Sequence, residues 1–105
     1  MKPEQFIREF GVEKAREVVK GAPDGHKGYN GVINQYTRGV WFSRDVMLSD
    51  LNRLVESLDI IEFHEGISGA KLVYKLRPSD AEGVDLWVRL ERAIKDHESI
   101  YGEEQ

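Results

Sequence analysis

An amphipathic pattern in the middle of the chain constrains the fold more than any other stretch. Between Leu48 and His64, apolar side chains recur at three- and four-residue steps, at Leu51, Leu54, Val55, Leu58 and Ile61. This spacing places them on one stripe of a helix, with polar and charged residues mainly on the other side. Ser49 stands at the N-cap position, where its hydroxyl can accept a hydrogen bond from the first turn. The pattern predicts a central helix that packs through one face.

The composition limits the class of protein. A chain of 105 residues, 40% apolar and 32% charged, has the size of one small globular domain with a single core. No apolar run is long enough to cross a bilayer, and the first residues lack the apolar segment of a signal peptide. Cysteine is absent, which excludes disulfides and thiol chemistry. We therefore expect a cytoplasmic protein that has no contact with membranes.

The charge is unevenly distributed along the chain. Residues 1–45 contain eight Lys/Arg and six Asp/Glu, whereas residues 46–105 contain seven and thirteen, for a net charge of −4. Such a mild asymmetry can orient a partner. It falls well short of the basic surface that is typical of nucleic-acid-binding domains.

Two short helices are predicted within residues 1–23. Pro3 suits the first turn of the first helix, which ends at Gly11. The second helix runs from Val12 to Lys20, and glycine and proline directly after it end it. The next residues, 24–28, have the composition of a mobile turn.

Aromatic and β-branched residues are concentrated in residues 29–44, where two glycines also disfavour a helix. We predict two short strands there, Gly31–Tyr36 and Gly39–Phe42, that form one hairpin. An isolated hairpin is marginally stable in water, so we expect Trp41 and Phe42 to pack it on the helices. The sequence does not assign which face of the hairpin is buried.

The segment from Glu65 to Pro78 suits two structures. Alternating apolar residues fit a strand that would pair with Ile61–Phe63, and apolar residues at three-residue steps fit a helix. An internal similarity favours the helix, because Gly11–Pro23 aligns without gaps on Gly66–Pro78 with five identities in thirteen positions. The first of these two segments is itself predicted to be helical.

A last helix is predicted from the capping-box pattern Ser79–Glu82 to about Tyr101, followed by frayed residues Gly102–Gln105. The predicted fold is therefore mainly helical α+β, with about five helices and one small two-stranded β-hairpin. We expect a single domain of residues 1–105. Its parts are the helix pair 1–23, the hairpin 29–44 and the helical portion 48–105.

Two stretches resemble a pattern in small accessory proteins of lambdoid temperate phages and enterobacterial prophages: Leu54-Val55-Glu56-Ser57 and Glu65-Gly66-Ile67-x-x-Ala70-Lys71. The opening Pro3–Gly11 and the late Leu90–Ser99 are similar to these proteins as well, whereas residues 24–44 contribute little. Glu65 stands where the family pattern has a first glycine before Gly66. The resemblance implies a phage or prophage origin and a helix after Gly66. It implies no established activity, so no functional residues follow from it.

Motifs for catalysis or metal binding are not found in the sequence. His26, His64 and His97 have no partners at the spacing of metal ligands. A nucleophile elbow, a phosphate loop and a dinucleotide fingerprint are also missing. We therefore expect no metal, no cofactor and no enzymatic activity. His64 suits the end of the central helix, where the helix dipole favours a cation.

The leading hypothesis is a non-enzymatic protein that binds and modulates a host or phage protein. Aromatic side chains and arginine are the types that anchor protein interfaces. They meet in the predicted hairpin, whose candidate contacts are Tyr36, Arg38, Trp41 and Arg44. The acidic faces of the last helices are further candidates. The same aromatic residues also suit a core beneath the hairpin.

The alternative is a small DNA-binding transcriptional regulator. The first two helices would form a helix-turn-helix, with Val12–Lys20 as the recognition helix. Its candidate phosphate contacts are Lys14, Arg16, Lys20 and Lys27. Two glutamates on the same short helix and the acidic chain weaken this hypothesis, because phosphate attraction dominates DNA affinity.

Overall fold

The computed structural model describes residues 1–41, 44–78 and 85–102. In these residues it contains five helices and three strands: α1 Pro3–Phe10, α2 Val12–Lys20, β1 Gly28–Asn30, β2 Gln35–Thr37, β3 Asp45–Met47, α3 Leu48–Phe63, α4 Ile67–Lys75 and α5 Asp85–Tyr101. The predicted mainly helical α+β fold is confirmed, with one strand more than expected. Of the helices within the described ranges, none is both long and apolar enough to cross a membrane. The chain divides into two compact units, Met1–Val55 and Glu56–Gln105.

The first unit contains an antiparallel sheet with the strand order β2-β1-β3. The central strand β1 pairs Tyr29 with Tyr36 on one side and with Val46 on the other. Phe6 of α1 is fully buried and meets the Tyr29 ring edge-on, at 6.1 Å between ring centroids. The core of this unit thus lies between the N-terminal helices and the sheet.

The predicted strand positions are largely wrong. Residues 31–34 form a turn instead of a strand, because Asn30 Oδ1 accepts the backbone N–H of Val32 at 3.0 Å and Asn34 adopts a φ of 52°. Only the last two residues of predicted strand Gly31–Tyr36 belong to β2. Residues 39–41 form no strand, and Phe42 lies outside the described residues.

The central helix is confirmed, but it begins at Leu48. Ser49 therefore lies inside the first turn, and its predicted N-cap position is wrong. The physical reason is that β3 continues directly into α3, and the Leu48 N–H donates to the Lys27 carbonyl at 2.8 Å. Backbone pairing at the end of the sheet thus satisfies one of the N–H groups in the first turn of α3.

The second unit packs the last turns of α3 with α4 and α5. Its core consists of Ile61, Ala70, Leu90, Ala93 and Ile94. The helix predicted after Gly66 is confirmed as α4. The capping box Ser79–Glu82 lies outside the described residues, as do the last three residues of the chain, and α5 ends at Tyr101 as expected.

The internal similarity is also a structural one. Helices α2 and α4 have nine residues each and begin and end at aligned positions. Each follows a glycine with a positive φ, 89° at Gly11 and 96° at Gly66. The aligned Ala15 and Ala70 are both fully buried. The repeat is therefore a glycine turn followed by a short helix with the same buried position.

Candidate partner-binding site

The candidate site is built on the loop of residues 38–41, which follows β2. At its start, the Thr37 hydroxyl donates to the carbonyl of Gly39 at 2.6 Å. At its end, the backbone N–H of Trp41 donates to Asp45 Oδ2 at 3.1 Å. Hydrogen bonds therefore hold the loop near both ends.

Asp45 is the buried anchor of this loop. The residue is fully buried, and its other carboxylate oxygen, Oδ1, accepts from Asn30 Nδ2 at 3.0 Å. A buried carboxylate is stable only where hydrogen bonds replace its hydration. The Asn30 amide and the Trp41 N–H supply two such bonds, so burial of the acid and the loop conformation depend on each other.

Two glycines let the loop lie directly on the central strand. A Cβ atom on Gly28 of β1 would lie 2.7 Å from the Gly39 carbonyl oxygen. One on Gly39 would lie 3.0 Å from Nε1 of Trp41. The indole of Trp41 therefore rests on Gly39, and its side chain is 69% exposed. The expectation that Trp41 packs a hairpin onto the helices is wrong.

Two cations lie at the same corner of the sheet. The last pair of the β1–β2 ladder is Gly28 with Thr37, and the Lys27 N–H donates to the Thr37 carbonyl at 3.0 Å. Lys27 thus lies beside Arg38, one step beyond this pair. Both residues are exposed, and neither forms an ion pair with another residue in the described ranges. We call Lys27, Arg38 and Trp41 the basic–aromatic corner.

Tyr36 and Arg44, the other two predicted contacts, lie elsewhere. The Tyr36 hydroxyl donates to the Val18 carbonyl at 2.7 Å, which links β2 to α2. Burial, with a smaller contribution from Tyr29, raises the pKa of Tyr36 above its ordinary value. Arg44 pairs with Glu9 of α1 at 3.0 Å. Both residues therefore contribute contacts between elements of the first unit.

The four residues predicted for DNA binding lie in different environments. Lys14 lies 5.9 Å from the centroid of the Tyr29 ring, and Arg16 pairs with Glu13 at 2.6 Å. Lys20 is exposed at the end of α2, and Lys27 belongs to the basic–aromatic corner. A single residue joins α1 to α2, whereas a helix-turn-helix has a turn of three or four residues. The DNA-binding hypothesis stays a prediction that no contact described here favours.

The histidines lie beside aromatic rings. His26 lies 6.4 Å from Tyr36 and His64 lies 5.2 Å from Phe63, measured between ring centroids. In the part of the chain that the structure describes, no group of three or more His, Asp or Glu residues is placed to hold a metal ion.

A polar cluster in the second unit joins α4 to α5. Glu91 accepts the Tyr74 hydroxyl at 2.8 Å and pairs with Lys95 at 3.0 Å. Hydrogen bonds from Lys95 and then Tyr74 lower the pKa of Glu91. Its bond to Glu91 raises the pKa of the Tyr74 hydroxyl, and Glu91 likewise raises the pKa of Lys95. The cluster therefore favours an ionised Glu91, and its bonds tie the two helices together.

Residue type marks Arg38 and Trp41 as candidate contacts but does not mark the residues that position them. Asp45 was assigned to no element, and Gly28 was placed in a mobile turn. Asn30, fifteen positions away, bonds the carboxylate of Asp45, and Gly28 approaches Gly39, eleven positions away. The local pattern of the sequence carries no signal for such contacts.

Comparison of the chain with protein-family models, curated proteins and solved structures gave no match. No functional residues can therefore be transferred from relatives.

Proposed function

We propose that this protein is a non-enzymatic accessory protein of a temperate phage or prophage that binds and modulates a host or phage protein. The basic–aromatic corner is its contact site. The observation that carries the proposal is that Trp41 is 69% exposed although both ends of its loop are hydrogen-bonded. The phage assignment is supported by the sequence resemblance described above.

An exposed tryptophan on an anchored loop suits binding for two reasons. Burial of the indole in a partner removes roughly 150 Å² of surface from water, which is worth up to about 4 kcal/mol before association costs are counted. The loop is already held by Asp45, so less conformational entropy is lost on binding. Tryptophan is accordingly enriched among the residues that dominate interface energies.

The charges favour a protein partner over nucleic acid. Lys27 and Arg38 would release only about two counterions from DNA, which gives a small electrostatic gain. The net charge of −4 on the chain opposes approach to a polyanion. A protein surface with an apolar pocket and an acidic rim matches both the indole and the two cations.

The test is affinity capture of the tagged chain from an enterobacterial lysate, with and without nuclease, followed by mass spectrometry. We compare the wild type with Trp41→Ala, Arg38→Glu and the control Ile33→Ala, whose side chain is 57% exposed in the turn of the same sheet. One nuclease-resistant protein should be recovered by the wild type and the control. Recovery should fall at least tenfold with Trp41→Ala and clearly with Arg38→Glu, while the thermal midpoints stay nearly unchanged.

Three outcomes would overturn the proposal. Recovery that disappears with nuclease would support the DNA-binding alternative. Equal recovery by Trp41→Ala and wild type would exclude the corner as the contact site. A large loss of stability in Arg38→Glu would show that Arg38 is structural.

A further inference from the structure

Asn30 is the only asparagine in the sequence that directly precedes a glycine. In such a pair the main-chain nitrogen of the glycine can attack Cγ of the asparagine, because glycine has no Cβ to hinder the approach. The nitrogen bonds to Cγ, the Cγ–Nδ2 bond breaks, and ammonia leaves with the proton of the main-chain N–H. Water then opens the five-membered imide to aspartate or isoaspartate. The Asn30–Gly31 pair therefore supplies every group that deamidation needs besides water.

The fold restrains Asn30 from this reaction. The residue ends β1, where it pairs with Gln35 on one side and with Asp45 on the other. Its side chain is buried, Oδ1 accepts the Val32 N–H at 3.0 Å, and Nδ2 donates to Asp45 Oδ1 at 3.0 Å. The extended strand and the bonded amide keep Cγ away from the Gly31 nitrogen. The reaction therefore has to begin from a state in which the end of β1 and the following turn have opened.

Opening of this turn is a local event. Besides the bonds that Asn30 Oδ1 accepts, the Tyr29 hydroxyl holds the turn by donating to Asn34 Oδ1 at 2.7 Å. The apolar side chains at the tip, Val32 and Ile33, are 59% and 57% exposed. Little apolar surface is therefore lost when the turn opens, and segments of this kind open far more often than the whole domain unfolds. Asn30 is thus exposed to the reaction in the folded protein.

Deamidation removes a partner of the buried Asp45. Aspartate at position 30 puts an oxygen where the Nδ2 donor lies 3.0 Å from Asp45 Oδ1, and two carboxylates sharing a buried site oppose each other's ionisation. Isoaspartate adds a main-chain carbon to β1 and so disturbs its register with β3. Either product weakens the position of the carboxylate that accepts the Trp41 N–H.

We propose that Asn30 is a site of spontaneous deamidation and that its product loosens the Asp45–Trp41 anchor. The loop of residues 38–41 is thus subject to an irreversible change that is built into the sheet beneath it. The reaction and its effect on the loop are independent of the proposed function. The effect on partner binding rests on that function, because it is exerted through Trp41.

The first test follows the purified full chain during incubation in mildly alkaline buffer, by peptide mapping with mass spectrometry. Acid product should accumulate at Asn30 and not at Asn34 or Asn52, and more slowly than in an unfolded peptide of the same local sequence. Tyr29→Phe should accelerate the reaction roughly fivefold, because it removes the hydroxyl that holds the turn. Val32→Ala is the matched control, since it changes an exposed side chain of the same turn, and it should react at the wild-type rate.

The second test compares amide hydrogen exchange in the modified and unmodified chains. The Trp41 N–H should exchange at least tenfold faster after deamidation, whereas the N–H groups within α3 serve as internal controls. Asn30→Asp reproduces the aspartate product and should show the same loss of protection. Partner capture should also fall with both forms. If the wild type captures no partner, the proposed function fails, while the mass and exchange measurements still test the deamidation.

Three results would overturn the inference. Asn30 could stay unmodified in the wild type and in Tyr29→Phe while the peptide reacts to completion. Tyr29→Phe could react no faster than Val32→Ala, which would show that opening of the turn does not control the reaction. The modified chain could keep the wild-type exchange rate at the Trp41 N–H, which would show that Asp45 holds the loop without help from Asn30.

Discussion

The buried carboxylate of Asp45 accepts the backbone N–H of the exposed residue Trp41 at 3.1 Å. The two residues lie four positions apart, yet one is fully buried and the other is 69% exposed. This relationship links stability of the first unit to the presentation of the candidate contact residue. A change at Asp45 should therefore affect both.

Asp45→Asn should lower the free energy of unfolding by about 1–3 kcal/mol. Asp45 accepts hydrogen bonds from the Asn30 amide and from the Trp41 N–H. Asparagine has the same shape, but its NH₂ group would face one of these two donors and could not accept its hydrogen bond. Urea denaturation measures the change, with Asp24→Asn in the exposed turn as the control. Equal stability of both variants would contradict the anchoring of the loop by Asp45.

Tyr36→Phe should destabilise the protein by about 1 kcal/mol and leave partner capture unchanged. The substitution removes the hydroxyl that donates to the Val18 carbonyl but keeps the ring packed on Tyr29. Tyr101→Phe is the control, because Tyr101 is 54% exposed on α5. If Tyr36→Phe reduced capture without a loss of stability, Tyr36 would be a contact residue.

The helices were predictable because each carries enough turns to show an apolar period. Even the ambiguous segment after Gly66 was assigned correctly, through its similarity to α2. The strands were not predictable, since each has three residues and too few positions to display alternation. Strand β1 contains Gly28 and Asn30, residue types that are depleted in sheets, and only its pairing on both sides makes it a strand.

The candidate site was predictable only in part, because some of its features depend on local composition and others on contacts that form in the folded chain. Residue type marked Arg38 and Trp41 as interface residues, and this depends on local composition. Exposure of Trp41 depends on the Asp45 anchor and on the close approach of Gly28 and Gly39, which are properties of the folded chain.

Gly11→Ala and Gly66→Ala should each lower the stability by about 1–3 kcal/mol. Both glycines combine a positive φ with an extended ψ, 157° at Gly11 and −176° at Gly66, a region that is open almost only to glycine. Neither added Cβ would meet another atom within 4 Å, so the cost is backbone strain alone. Each variant is the other's control in chemical denaturation. Clearly unequal costs would show that the two turns are not equivalent.

Acidification should reduce stability through Glu91. Its pKa in the folded chain is lowered from the ordinary 4.5, so ionised Glu91 stabilises the fold above pH 4.5. This contribution is lost as the pH falls through the lowered value. Glu91→Gln should flatten the dependence of the urea midpoint on pH in this acid range. Tyr74→Phe removes only one of the two bonds and should flatten it less.

If the urea midpoint of Glu91→Gln depended on pH as that of the wild type does, Glu91 would not be held ionised by Lys95 and Tyr74. Glu62→Gln, at an exposed acid of α3 that takes no part in the cluster, is the control for a general effect of removing a carboxylate.

The main chain and the side chain of Lys27 have different roles. The main chain donates to the Thr37 carbonyl and accepts from the Leu48 N–H, which joins the sheet to the first turn of α3. These bonds are independent of the residue type, provided that it is not proline. The charge at the corner can therefore be gained, lost or reversed at position 27 without rebuilding the sheet. Under the proposed function, such a substitution would change the choice of partner on an unchanged fold.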